Sequence, residues 1–154
     1  MAYAEGTTVS VERSQDEIRS LLARHGCKHF ALADSPEASA VQFVLGWLPY
    51  RFTVQRPTTE EVRTKWLDAG HRVRYGLDWN KKVQQEWRRR WRARLLWLKA
   101  TLEFAEDDED FIAQALMSQL VLPDQSTFGD WAARKMPEIY SSGRIPALPM
   151  FESG

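Results

Sequence analysis

Arginines interleaved with tryptophans are the residues in this chain best suited to chemistry, and that chemistry is anion recognition. Arg88, Arg89, Arg92 and Lys99 recur through the stretch 81–99, KKVQQEWRRRWRARLLWLK, which carries eight basic residues and one acidic one. A planar guanidinium matches phosphate oxygens two at a time, and neighbouring rings can stack on bases. Arg72 and Arg74 lie a few residues upstream and are expected to extend the surface, with Trp79 and Trp97 as candidate stacking platforms. The competing reading is a solvated flank whose long stems cover apolar surface and whose charge is met by acidic residues of the same chain or of a second copy.

Other candidate chemistry is sparse. His25, Cys27 and His29 form an H-x-C-x-H cluster, whose spacing fits no common zinc pattern and which has no evident fourth ligand. No G-x-S-x-G, Walker A, G-x-G-x-x-G or H-E-x-x-H motif occurs, and no serine carries a feature of a nucleophile. Glu60 and Glu61 read as first-turn helix residues. Of the acidic residues Glu103 and Glu106 to Asp110, Asp107 to Asp110 read as the first turn of a helix, where negative charge is favoured. The sequence therefore leads to no catalytic residues, no metal site and no cofactor, and to a non-enzymatic binding protein.

The elements that must hold these residues follow from periodicity. Val83, Trp87, Trp91, Leu95, Leu98 and Leu102 fall on one arc of a helix, with Lys81, Arg88, Arg92 and Lys99 on the neighbouring arc. Arg90, Arg94, Trp97 and Phe104 lie on the remaining side, so this helix is expected to pack on more than one face. Upstream, Val9 and Val11 suggest a strand over Thr7 to Arg13, and Ser14 with Glu17 has capping-box spacing for a helix from about Gln15 to His25. Alternation then predicts strands near 28–33, 40–47 and 50–55, separated by Asp34 to Glu37 and by Gly46 to Pro49.

Thr58 or Thr59 can cap a short helix through Leu67, and His71 to Trp79 reads as a loop. Phe111 to Leu120 suits another helix, closed by Leu122 and Pro123. Thr127 with Asp130 caps a last one containing Trp131, Met136 and Ile139, with Pro137 a kink or restart. The expected fold is α+β: a small, mainly antiparallel sheet in β-α-β-β-β order, then a long basic helix and two or three shorter helices. It reads as a single domain over 1–154, with a sheet-forming part at 7–56, a helical part at 58–142 and a Pro-rich tail at 143–154.

Composition bounds the rest. The 154 residues, 44% hydrophobic, can support one full core. Twenty-one basic residues balance twenty-one acidic ones, unlike the strong positive excess of dedicated nucleic-acid modules. No apolar run suggests a membrane span, and the single Cys27, with no secretory leader at the start, points to a reducing cytoplasm.

Three stretches carry a resemblance: Val11-Glu12-Arg13-Ser14 with Ile18, Leu21, Leu22 and Gly26; Trp91-Arg92-Ala93 with Leu95, Leu96, Leu98, Lys99, Ala100, Leu102 and Glu103; and Val121-Leu122-Pro123-Asp124 with Trp131, Ile139, Tyr140, Gly143, Pro146, Leu148 and Pro149. In these the chain resembles a group of small uncharacterised proteins encoded by bacteriophages and prophages. Those proteins usually have Gly after the Pro-Asp pair, where this chain has Gln125. The resemblance implies a phage or prophage origin and no activity. The candidate partners are single-stranded or duplex DNA, or a protein of host or phage, including a second copy in a homo-oligomer.

Overall fold

The computed structural model describes residue 4 and residues 6–146. Five helices and three strands follow in the order α1 (Val11–Arg24), β1 (His29–Asp34), β2 (Ala38–Leu45), β3 (Leu48–Gln55), α2 (Thr59–Asp68), α3 (Trp79–Ala105), α4 (Glu109–Ala115) and α5 (Phe128–Ser142), with a 3-10 turn at Met117–Gln119. The fold is α+β. The expected first strand at 7–13 is absent, so the order is α-β-β-β and not β-α-β-β-β. Ser10, not Ser14, caps the first helix, its Oγ accepting from the Arg13 amide at 3.2 Å. Starting the helix at Val11 places Ser14 on the buried stripe with Ile18, Leu21 and Leu22, and that burial outweighs the capping box.

The sheet is an antiparallel meander in the order β1-β2-β3. Ser39, Val41, Phe43 and Leu45 alternate inward along β2, and Tyr50, Phe52 and Val54 do so along β3, the period of a strand buried on one face. Phe30 and Leu32 of β1 pack against the same core at partial burial. A two-residue turn joins β2 to β3, with Gly46 at φ +62°. Trp47 stands at its tip, 83% exposed, beyond the strand end.

Against the inner sheet face lie α1 and the buried stripe of α3, Trp91, Leu95, Leu98 and Leu102. These join Ile18, Leu22, Val41, Phe43, Phe52 and Leu116 in one hydrophobic cluster, so the sheet-forming and helical parts share a core. At 27 residues, α3 is about 40 Å long. It begins at Asp78, whose side chain accepts from the Lys81 amide, and it stops where Glu106 and Asp107 turn left-handed at φ +50° and +60°. Asp108 then caps α4. Only Glu109 and Asp110 thus occupy a helical first turn.

The helix expected through Leu120 ends at Ala115, because Leu120 and Val121 bridge back to Tyr50 and Thr127. Beyond it, α5 starts at the Thr127 cap and runs through Pro137 without a break. Of the closing Pro-rich tail, residues 147–154 lie outside the described residues.

Candidate anion-binding site

Most of the arginines that the sequence singles out are engaged with their own chain. Arg92 Nη1 donates to Glu17 Oε2 at 2.9 Å, tying α3 to α1. Arg89 holds Glu86 by two parallel hydrogen bonds of 2.8 and 2.7 Å. Arg90 reaches Glu86 at 3.1 Å, Glu61 at 3.6 Å and the Gln55 carbonyl at 2.8 Å. Burial pushes the Glu86 carboxyl up, but the hydrogen bonds from Arg89 and Arg90 and the charges of Arg89 and Lys65 outweigh it and hold the group below the usual carboxylate range. Lys99 lies 3.9 Å from Glu103, both exposed, a contact of little energy.

The remaining members differ. Arg88 forks onto Gln85 Oε1 at 3.2 and 2.7 Å and meets no carboxylate within ion-pair distance among the described residues. Arg94 lies over Phe52 and Trp97, 5.2 and 5.1 Å from their ring centroids. Trp97 itself meets Phe52 edge-on at 6.2 Å and packs, half-buried, against the core. Trp79 is half-exposed at the first turn of α3.

What the structure gathers instead is a corner formed by α2, the loop 69–78 and the start of α3. Thr58 opens α2 with a capping box, its hydroxyl accepting from the Glu61 amide while the Glu61 carboxylate accepts from the Thr58 amide. No α2 residue is buried. The helix is held by side-chain contacts to α3 and to the loop that follows it: Lys82 Nζ of α3 sits 3.5 Å from the Trp66 ring centroid, while in the loop His71 stacks on Trp66 at 4.2 Å and the Arg72 carbonyl accepts from Trp66 Nε1. Between the helices lies a cleft of about 240 Å³ lined by Lys65, Trp66, His71, Lys82, Glu86 and Arg89 among others. Arg63, Arg72, Arg74 and Lys81 face solvent here and make no ion pair with any described residue.

Residues 59–94 hold eleven of the twenty-one basic residues and five of the acidic ones. Ten basic and sixteen acidic residues are left for the rest of the chain. Arg72 and Arg74 lie exposed in the loop between α2 and α3, whereas Arg92 and Lys99 lie further along α3 in ion pairs. The sequence reading did not join Arg63, Lys65, Trp66 or His71 to the basic stretch, and no local spacing links them to it. The available signal was the charge of the whole helix-loop-helix stretch.

The H-x-C-x-H residues separate. His25 Nδ1 meets Asp107, joining the end of α1 to the turn after α3, and Cys27 Sγ donates to the His29 carbonyl at 3.0 Å. Among the described residues, no three His, Cys, Asp or Glu side chains converge as a metal site, and no helix is long and apolar enough to cross a membrane. Comparison of the chain with protein-family models, with curated proteins and with solved structures returns no match.

Proposed function

We propose that this chain is a non-enzymatic accessory protein of phage or prophage type, acting in the host cytoplasm, that binds nucleic acid through the α2–α3 corner. The observation that carries this reading is the set of solvent-facing cations at that corner, Arg63, Arg72, Arg74 and Lys81, without intramolecular carboxylate partners among the described residues. Arg88 continues the set along α3, and Trp79 offers a half-exposed ring at the first turn of the same helix. Such cations contact phosphates and carry little base readout. Of the cations first considered, Arg89 and Arg92 are assigned to holding the scaffold, and Lys99 lies outside the corner.

Charge reversal tests the assignment. Arg72→Glu with Arg74→Glu is expected to weaken binding of labelled DNA at low salt by about tenfold or more, since each lost phosphate contact also becomes a repulsion, while the denaturation midpoint stays unchanged. Binding that survives the double variant would remove the corner from the site. A protein-interaction role is the second reading. It is favoured by an apolar face of α3 that is part-buried at Ala93, Leu96 and Trp97 and exposed at Ala100 and Phe104.

A further inference from the structure

The buried stripe of α3 accounts for one side of the helix. On the opposite side, Ala93, Leu96, Trp97, Ala100 and Phe104 recur at three- and four-residue steps. In the first half of α3 this back face is covered by α2, through Lys65 and Glu61 on Glu86 and Arg90 and through Trp66 on Lys82. Beyond Arg90 the cover by α2 ends, and Trp97 leans on Phe52 at one edge of the face. Ala100 is exposed, Phe104 is 75% exposed with Phe111 against its ring at 5.3 Å, and a shallow groove follows Ala93, Leu96, Trp97 and Ala100. An apolar face of this length, flanked by charge, marks an interaction surface.

The charge on either side says what fits it. The half of α3 before Ala93 holds Arg88, Arg89, Arg90 and Arg92 against Glu86 alone, Arg94 and Glu103 lie at the two ends of the stripe, and the run Glu106 to Asp110 lies beyond it. A partner helix of the same charge pattern laid parallel would set like against like. Laid antiparallel, it sets the basic half of each copy alongside the acidic turn of the other. The same arrangement places the large Trp97 and Phe104 opposite the small Ala100 and Ala93 of the partner, two steps that a single register about Leu98 and Lys99 satisfies together.

We infer that a second copy of this chain covers the back face of α3, the two helices running antiparallel across a two-fold axis near Leu98 and Lys99. The interface is isologous, each copy giving the same stripe and the same pair of charged flanks. It leaves Arg72 and Arg74 at the two far ends of the pair, and so it goes beyond the nucleic-acid reading without depending on it.

Sedimentation equilibrium of the full chain over a range of concentrations tests the association. The expected result is a mass of about twice 17.9 kDa, with the dissociation constant raised about tenfold or more by Phe104→Glu and by Ala100→Arg, both at exposed positions that leave the core intact. Orientation is read by cross-linking with a short bismaleimide in a Cys27→Ser background. Ala100→Cys, about 5 Å from its mate along the axis, is expected to cross-link, and Lys81→Cys, about 50 Å from its mate, is not. A monomer at every concentration, a dimer indifferent to both stripe variants, or cross-linking at both cysteine positions would each overturn the proposal.

Discussion

Arg92 shows how the same residue can look like a ligand-binding group in the sequence and serve as a strut in the structure. Its helical position beside Arg88 and Lys99 was legible, but Glu17, its partner at 2.9 Å, lies seventy-five residues away, beyond any local pattern. Arg92→Glu is expected to destabilise the fold by about 1–2 kcal/mol, combining a lost charge-assisted hydrogen bond with a new repulsion. Arg72→Glu should stay within about 0.5 kcal/mol; equal losses in urea denaturation would contradict this division of labour. Glu86 supplies a pH dependence. Its folded-state pKa is held below the ordinary value of 4.5 by Arg89 and Arg90 against the opposing effect of burial. Its contribution is therefore complete above that value and lost as pH falls through the folded-state pKa. Glu86→Gln should flatten that part of the acid limb and leave the neutral-pH slope alone. Gln125 sits at φ +69°, a left-handed conformation that Gly adopts without strain, and the turn forms with Asp124 Oδ1 accepting from the Ser126 amide and hydroxyl. Gln125→Gly is expected to stabilise by about 0.5–1 kcal/mol, measured as a shift in the urea midpoint at constant slope, and a loss of stability would show that the side chain outweighs the strain.

Among the elements, those with strong periodicity and clear caps could be read from sequence alone. The alternation through Val41, Phe43 and Leu45, the Thr58 and Thr127 caps and the core arc of α3 all rest on contacts within a few residues. The first helix was misread because Ser14 and Glu17 imitate a cap, while the evidence for Ser10 was the long-range burial of Ser14 beside Ile18. Likewise the break after Ala115 depends on the bridge from Leu120 to Tyr50, a pairing across the fold. Helix α2 was placed correctly, but its independence from the core was not visible: it buries no residue and is held to α3 by ion pairs and the Trp66 contacts. Such an element opens locally at low cost. Its amides should exchange fastest among those of α1, α2 and α3, and faster still in high salt, as screening weakens the Lys65–Glu86 and Arg90–Glu61 pairs. Protection in α2 equal to that of α3 would contradict the view of it as a surface-held arm.

At the scale of the whole molecule, neutrality conceals a polarity. The stretch 59–94 has eleven basic and five acidic residues, and the acidic run Glu103 to Asp110 lies at the other end of a helix about 40 Å long. That separation was legible as a local excess of charge in the sequence. What was not legible was which cations the fold uses up, since each internal pair is a tertiary contact. The arrangement accounts for how a chain with no net charge could still present one anion-attracting end. The most direct measurement is a fluorescence-anisotropy titration of labelled single-stranded and duplex DNA with the purified protein at several salt concentrations. The expected result is an affinity whose logarithm falls linearly with log salt, with a slope corresponding to about three to five phosphate contacts. No binding at low salt, where such contacts are strongest, would contradict the nucleic-acid reading of the α2–α3 corner.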